Sequence, residues 1–313
     1  MKSCFEAINS SKANFDDIYS MDDPRGYFSV LGALDYMIPD IAAPIIRQVL
    51  TACTRQYNSE RRPLILDVGC SYGINAAVHR FPLTFAVLRR RYTRREVARL
   101  SSAELLRFDR SYYASWPDIG LGRFMGLDPS APAIAYAKNV GLIEAGITTD
   151  LEKSDPTPAD LRLLEDTDVV LSTGAVGYVT DKTYRRILGA TRRKPWIISF
   201  VLRMFPYDSL ASVFAEHELV TERLASAVFI QRRFRDIAEF DSTLLALKER
   251  GVQTDGFESD GLLRAELYLS RPPADAWAAP IDDIVTVCSG LNRPVGTRYV
   301  KITEDEAEVA LEQ

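Results

Sequence analysis

The stretch "LILDVGCSYGINAA", residues 64–77, sets an acid, Asp67, two residues ahead of Gly69, with Ser71 and Gly73 following. An apolar strand that stops at an acid and turns through small residues into a helix brings its backbone close to a ligand at its tip. Three ligands compete for such a tip. A triphosphate needs G-x-x-x-x-G-K-[ST], whose lysine reaches the phosphates, and no lysine stands in this turn. A dinucleotide needs G-x-G-x-x-G, with its pyrophosphate on the helix N-terminus. Here the spacing is Gly69-x-Ser71-x-Gly73, and Asp67 would repel a pyrophosphate. The carboxylate suits a cationic group. Two further acids, Asp128 in "GLDPS" and Asp150 in "TTDLE", close later strand-like runs. A carboxylate can accept charge-assisted hydrogen bonds from two neighbouring hydroxyls, although Asp128 is also placed to cap a helix starting at Pro129 or Ser130.

The elements that must position these residues alternate. An amphipathic helix is expected from about Ile41 to Gln56, with Pro39 and Pro44 at its entry. Then come strand "RPLILDVG" and a helix from about Asn75 that Pro82 ends. From Leu83 to about Trp116 the chain reads as helical and basic, with eight arginines and no lysine. Strands "GRFMGLD", "GITTDLE", "DVVLSTGAVGYV", "KPWIISFVLRM", "AVFIQRRF" and "GLLRAELYLSR" follow, with helices between most of them. "TRYVKIT" is a last strand-like piece, before an acidic tail expected to be solvated or frayed. Alternation of this kind implies an α/β, mainly parallel sheet covered on both faces, with ligands outside the carboxyl ends of its strands.

Composition narrows the function. The chain has 313 residues and a formal charge of −5, which disfavours a general nucleic-acid binder. The first residues lack a signal-peptide core and no apolar run is long enough to span a bilayer, so a cytoplasmic location without a membrane partner is expected. Cys4, Cys53, Cys70 and Cys288 show no C-x-x-C spacing, and His79 and His217 are the only histidines. Neither a disulfide framework nor a metal site is expected, and a mechanism resting on several imidazoles is excluded. The arginine run "RRRYTRREVAR" could face RNA, but Glu96, Glu104 and Asp109 make a solvated helical face the simpler reading.

The pattern around Asp67 resembles motif I of the class I S-adenosylmethionine-dependent methyltransferases, [DE]-x-G-x-G-x-G, with Ser71 in place of the middle glycine. The resemblance extends in order through Asp128 and Asp150 to "DVVLSTGAVGYV", across roughly residues 64–180. It implies a Rossmann-like, doubly wound sheet of seven strands and S-adenosyl-L-methionine as cofactor. The cofactor would be held by Asp67, Gly69, Ser71 and Gly73, by Asp128 and Pro129 at the ribose, and by Asp150 and Leu151 at the adenine. Ser172, Thr173 and Gly174 would flank its methionine part. The long separation of Asp67 from Asp128 departs from the family and is read as a helical insertion at about 83–120. Residues 1–60 are read as an N-terminal helical cap and 61–313 as the methyltransferase domain. The chain also resembles bacterial methyltransferases of unassigned substrate that open with "DDPRxYF…LDYxIP" and carry a "QRRF" strand.

Methyl transfer from a sulfonium is an in-line displacement that needs alignment and exclusion of water, and a base only where the acceptor loses its proton early. The [DN]-P-P-[YFW] motif of many nitrogen methylations is absent, as is a cysteine after the fourth or fifth strand for cytosine C5 chemistry. A small, aromatic acceptor in specialised metabolism is expected, methylated on oxygen, nitrogen or carbon in that order of family frequency. Tyr19, Tyr27, Phe28, Tyr112, Trp116, Arg203 and Phe205 are the candidate acceptor contacts. Tyr207, Tyr113 and His217 are the candidate bases. A homodimer is a candidate assembly. An NAD(P)-dependent oxidoreductase and an RNA-associated or non-catalytic cofactor-binding protein are the alternatives.

Overall fold

The computed structural model describes residues 16–57, 61–287, 297–301 and 307–311; Cys4 and Cys288 lie outside the described residues. The described strands form one sheet in the order β3-β2-β1-β4-β5-β8-β7-β10-β9, with β6 paired to β8 on a separate path. These are β1 (Leu64–Val68), β2 (Arg123–Leu127), β3 (Ala145–Ile147), β4 (Val169–Thr173), β5 (Trp196–Leu202), β6 (Val220–Arg223), β7 (Ala227–Arg233), β8 (Leu262–Arg271), β9 (Thr297–Lys301) and β10 (Ala307–Leu311). Strands β1 to β5 are mutually parallel, and β8 runs antiparallel to β5, β6 and β7. The fold is α/β and Rossmann-like: β1 sits between β2 and β4, so the strand order reverses at its tip.

Side chains alternate between two cores, as the two-residue period of a strand covered on both faces requires. On β5, Trp196, Ile198 and Phe200 enter one core, whereas Ile197 and Val201 enter the other. The helices Ile38–Tyr57, Ile74–Arg80 and Ala131–Asn139 cover the first face. The helices Asp181–Ala190 and Asp208–Glu216 cover the second. Each fully buried aliphatic side chain contributes about 1.5–3 kcal/mol, so the fully enclosed Ile41, Ile45 and Val49 hold the long N-terminal helix firmly to the sheet.

Four expectations need correction. The sheet has ten described strands rather than seven, because β6, β9 and β10 extend it. Ala307–Leu311, expected to be solvated tail, pairs parallel to β7 and antiparallel to β9, satisfying the unpaired edge of β7. Pro44 lies inside the helix Ile38–Tyr57, not at its entry; the apolar face is continuous enough to carry the lost backbone bond. β3 stops at Ile147, before "TTD". Asp150 closes a turn there: its carbonyl accepts from the Lys153 and Ser154 N–H groups and its Oδ1 from the Glu152 N–H.

The region between the helix Ile74–Arg80 and β2 is helical, as expected, with helices Phe85–Tyr92, Arg95–Ala98 and Ser102–Ala114. It is tied to the N-terminal segment. Arg25 donates to the carbonyls of Val97, Ala98 and Leu100, and Ser102 Oγ donates to Asp23 Oδ2 at 2.7 Å. Tyr72 Oη donates to the carbonyls of Ile18 and Met21, anchoring that same segment over the β1 turn.

Candidate functional site

A cavity of about 740 Å³ opens at the carboxyl ends of β1, β2 and β4. Its floor is the β1 turn. Gly69 takes φ +73°, and a Cβ there would lie 2.6 Å from the Ala175 Cβ, so only glycine lets the β4 loop approach. Ser71 also holds a positive φ, +48°, uncommon outside glycine. Its backbone N–H donates to Asp128 Oδ2 at 2.9 Å, which offsets the strain. The Ser71 Oγ is buried without a partner. Gly73 caps the helix Ile74–Arg80 in the left-handed region and packs on Ala137 and Leu142, behind the cavity wall.

Asp67 ends β1 fully enclosed. Its Oδ1 accepts from Asn75 Nδ2 at 2.9 Å, while Oδ2 is buried with no partner. Burial pushes its carboxyl up to about 7, against the Asn75 hydrogen bond and with a further push from Asp128. Asn75 lines the cavity and also donates to Thr173 Oγ1 at 3.0 Å, coupling the tips of β1 and β4. Asp128 accepts from the Ser71 and Ser130 N–H groups, both at 2.9 Å. Ser130, not Asp128, caps the helix Ala131–Asn139. Burial pushes the Asp128 carboxyl up, opposed by those two bonds.

Asp150 lines the cavity beyond β3. Its burial is outweighed by the Lys153 ammonium at 2.7 Å and by backbone N–H groups, which hold its carboxyl below the usual range. Leu151 is buried beside it. Glu152 fixes the opposite loop by accepting from the Thr180 N–H, Thr180 Oγ1 and Thr183 Oγ1.

Of the expected cofactor residues, Gly69, Ser71, Asp128, Pro129, Asp150, Leu151, Thr173 and Gly174 line the cavity. Asp67, Gly73 and Ser172 stand behind the lining. Of the expected acceptor residues, Tyr19 and Tyr27 line it; the others do not. Phe28 is fully buried and stacks on Tyr92 at 4.6 Å. Tyr112 lies under the Arg91 guanidinium, with Trp116 against its edge. Arg203 is held by Glu258 at 2.6 Å and by the Phe257 ring, with no reach to the cavity. Phe205 packs beneath Gly177, supporting the β4 loop from behind.

None of the three candidate bases lines the cavity. Tyr113 is bonded to Tyr92 within a buried network that includes Tyr136, Asp109 and Arg91. Tyr207 stacks on Tyr268 at 4.0 Å on the other face of the sheet. His217 caps the helix Asp208–Glu216. Tyr113 lies inside the helix Ser102–Ala114 with its hydroxyl bonded to Tyr92, Tyr207 is held against Tyr268, and His217 lies at the far end of the helix Asp208–Glu216.

Tyr36, Gln231 and Arg232 join the lining instead. The segment before the helix Ile38–Tyr57 pairs with β7: the Met37 N–H donates to the Gln231 carbonyl and the Arg233 N–H to the Leu34 carbonyl. A bulge at Gln231 shifts the β7 register against β8, which lets consecutive residues both reach the cavity. Arg232 is paired with Glu239 through two bonds of 2.8 and 2.6 Å. Burial pushes the Tyr36 hydroxyl up to about 12, against its bond to Tyr27 and the Arg232 charge. The motifs "LDYMIP" and "QRRF" were the signal for this wall.

The antiparallel β8 lies between β5 and β7, with acids at the tips of β1 and β2 over a glycine turn, in a Rossmann-like α/β fold. No family model matches the chain, and no curated protein matches it. Solved structures similar to this chain include the plantazolicin methyltransferase BamL in complex with a triazolic desmethylPZN analog and SAH. It is 12% identical, over 85% of this chain and 97% of that one, with a TM-score of 0.42. The O-methyltransferase from a trans-AT PKS multienzyme of Brevibacillus brevis, in complex with S-adenosyl-L-homocysteine, is 13% identical over 73% and 72%, with a TM-score of 0.36. Precorrin-6y C5,15-methyltransferase from Geobacter metallireducens GS-15 is 9% identical over 72% and 88%, with a TM-score of 0.34.

Proposed function

We propose that the chain is an S-adenosylmethionine-dependent methyltransferase acting on a small, aromatic acceptor in specialised metabolism. The observation that supports this reading is the placing of Asp128, at the tip of β2, and Asp150, in the turn after β3, on one cavity whose floor is the β1 turn that Asp67 leads into. The residues fit the cofactor. Asp67 stands behind the lining and reaches it through Asn75, and its unpartnered Oδ2 would favour an ammonium once the carboxyl is deprotonated. Gly69 and Gly174 leave open a cradle that a Cβ would disturb, since each takes a positive φ and lies against a neighbour. Asp128 retains lone pairs for two ribose hydroxyls after accepting its backbone bonds. Asp150 and Leu151 offer an acceptor and an apolar surface to the adenine.

When bound, S-adenosylmethionine supplies an electrophilic methyl group. The chain's own residues bind, orient and exclude water. Tyr19, Tyr27 and Tyr36 line the cavity and offer aromatic walls to a flat acceptor. The N-terminal segment from Tyr19 to Pro39 covers the cavity, and the insertion at about 83–120 braces that segment, because Arg25, Asp23 and Ser102 fasten one to the other. Titration with S-adenosylhomocysteine, followed by labelled methyl transfer to a panel of indoles, phenols, amines and carboxylic acids, tests the reading.

A further inference from the structure

Gln231 is the one polar lining side chain on β7 that is left incomplete. It is 4% exposed, its Oε1 is buried without a hydrogen-bond partner, and it lines the cavity. It also sits at the junction of the two halves of the cavity: a Cβ on Gly174 would lie 2.4 Å from Gln231 Nε2, and Tyr36 is held next to it through the Met37–Gln231 backbone bond. An amide carbonyl in that state has an unused acceptor, and the cavity is the side from which a donor can reach it.

We propose that Gln231 positions the methyl acceptor by accepting an N–H from it, and that the acceptor atom is an uncharged amine nitrogen. This rests on the methyltransferase reading above. A hydroxyl acceptor has a single proton. Donated to an amide carbonyl, that proton stays on the oxygen, because the amide is not a base and leaves a weak nucleophile. An amine can donate one N–H to Gln231 and still direct its lone pair elsewhere. The surroundings agree. Tyr19 and Tyr36 keep their protons under burial and cannot serve as bases near neutrality. The amine must be uncharged to react, because only then is its lone pair free to attack. The rings of Tyr19, Tyr27 and Tyr36 then face the positive charge as it develops.

In the transfer, the nitrogen lone pair forms the new N–C bond as the C–S bond breaks, and the bonding pair leaves with sulfur. The nitrogen acquires the positive charge that sulfur loses, and the N-methylammonium then releases a proton to water. No oxidant, reductant or enzyme base is consumed.

The test pairs nitrogen and oxygen isosteres: benzylamine with benzyl alcohol, tryptamine with tryptophol, aniline with phenol. Each is offered with labelled cofactor to the wild-type chain and to Gln231→Leu and Gln231→Glu. Binding to the S-adenosylhomocysteine complex is measured by calorimetry in parallel. We expect label only on amines. In Gln231→Leu, amine affinity and kcat/KM fall about tenfold or more while S-adenosylhomocysteine affinity and the melting temperature hold. Gln231→Glu, which keeps an acceptor oxygen, recovers most of the amine binding. Label confined to alcohols and phenols, absence of label from every amine, or a Gln231→Leu chain unchanged in amine binding overturns the inference. Failure to bind S-adenosylhomocysteine at all overturns the methyltransferase reading and this inference with it.

Discussion

Asn75 Nδ2 donates to Asp67 Oδ1 at 2.9 Å, and the second oxygen of Asp67 is buried with nothing to accept from. Burial therefore holds this carboxyl near 7, far above the ordinary 3.8. The raised value means that the fold favours the protonated form. The stabilisation is complete below about 3.8 and is lost as pH rises toward 7. A ligand bearing an ammonium favours the opposite form. S-adenosylhomocysteine affinity should therefore rise with pH up to about 7 and level off above it, with proton release on binding below that pH. Calorimetry in buffers of different ionisation enthalpy checks this. A flat profile in the wild type, or an unchanged profile in Asp67→Asn, contradicts it.

Gly69→Ala should weaken S-adenosylhomocysteine binding by about tenfold or more and lower the melting temperature, because a Cβ at φ +73° meets Ala175 at 2.6 Å. Gly141→Ala is the control: φ is +79°, but nothing lies within 4 Å. It should cost about 1 kcal/mol of stability and leave affinity alone. Equal effects on affinity would remove the close-approach account of Gly69.

Tyr113→Phe and His217→Ala should leave kcat and S-adenosylhomocysteine affinity unchanged, since neither side chain lines the cavity. Tyr113→Phe loses the 3.1 Å bond to Tyr92 and about 1 kcal/mol of stability. A large drop in kcat with an unchanged melting temperature would restore either residue as a base.

Asp109 is fully buried and accepts from Arg91, Tyr92 and Tyr136. Asp109→Ala leaves the mostly buried Arg91 without its counter-charge and should cost about 3 kcal/mol. Denaturant unfolding gives the value. A loss below about 1 kcal/mol would mean that this network does not hold the insertion to the helix Ala131–Asn139.

The floor of the cavity was legible in the sequence because it is local. Gly69 and Ser71 lie in the strand-to-helix corner that opens at Asp67, and Asp128 follows its own strand directly. The wall formed with β7 was not. Gln231 and Tyr36 line one cavity only because residues 34–37 pair with a strand almost two hundred residues later, and because β7 bulges at Gln231. Arg203 follows β5 as an acceptor contact should, but Glu258 and Phe257, supplied by a distant loop, claim it. The aromatic residues of the insertion were numerous enough to suggest a cavity wall. Their partners proved to be one another and Arg91.

The most direct measurement is a calorimetric titration of the purified chain with S-adenosylhomocysteine and, separately, NADH. The account predicts saturable, one-site binding of S-adenosylhomocysteine that is lost in a folded Asp67→Ala chain, with no binding of NADH. Binding of NADH alone, or S-adenosylhomocysteine affinity unchanged in Asp67→Ala, would contradict it.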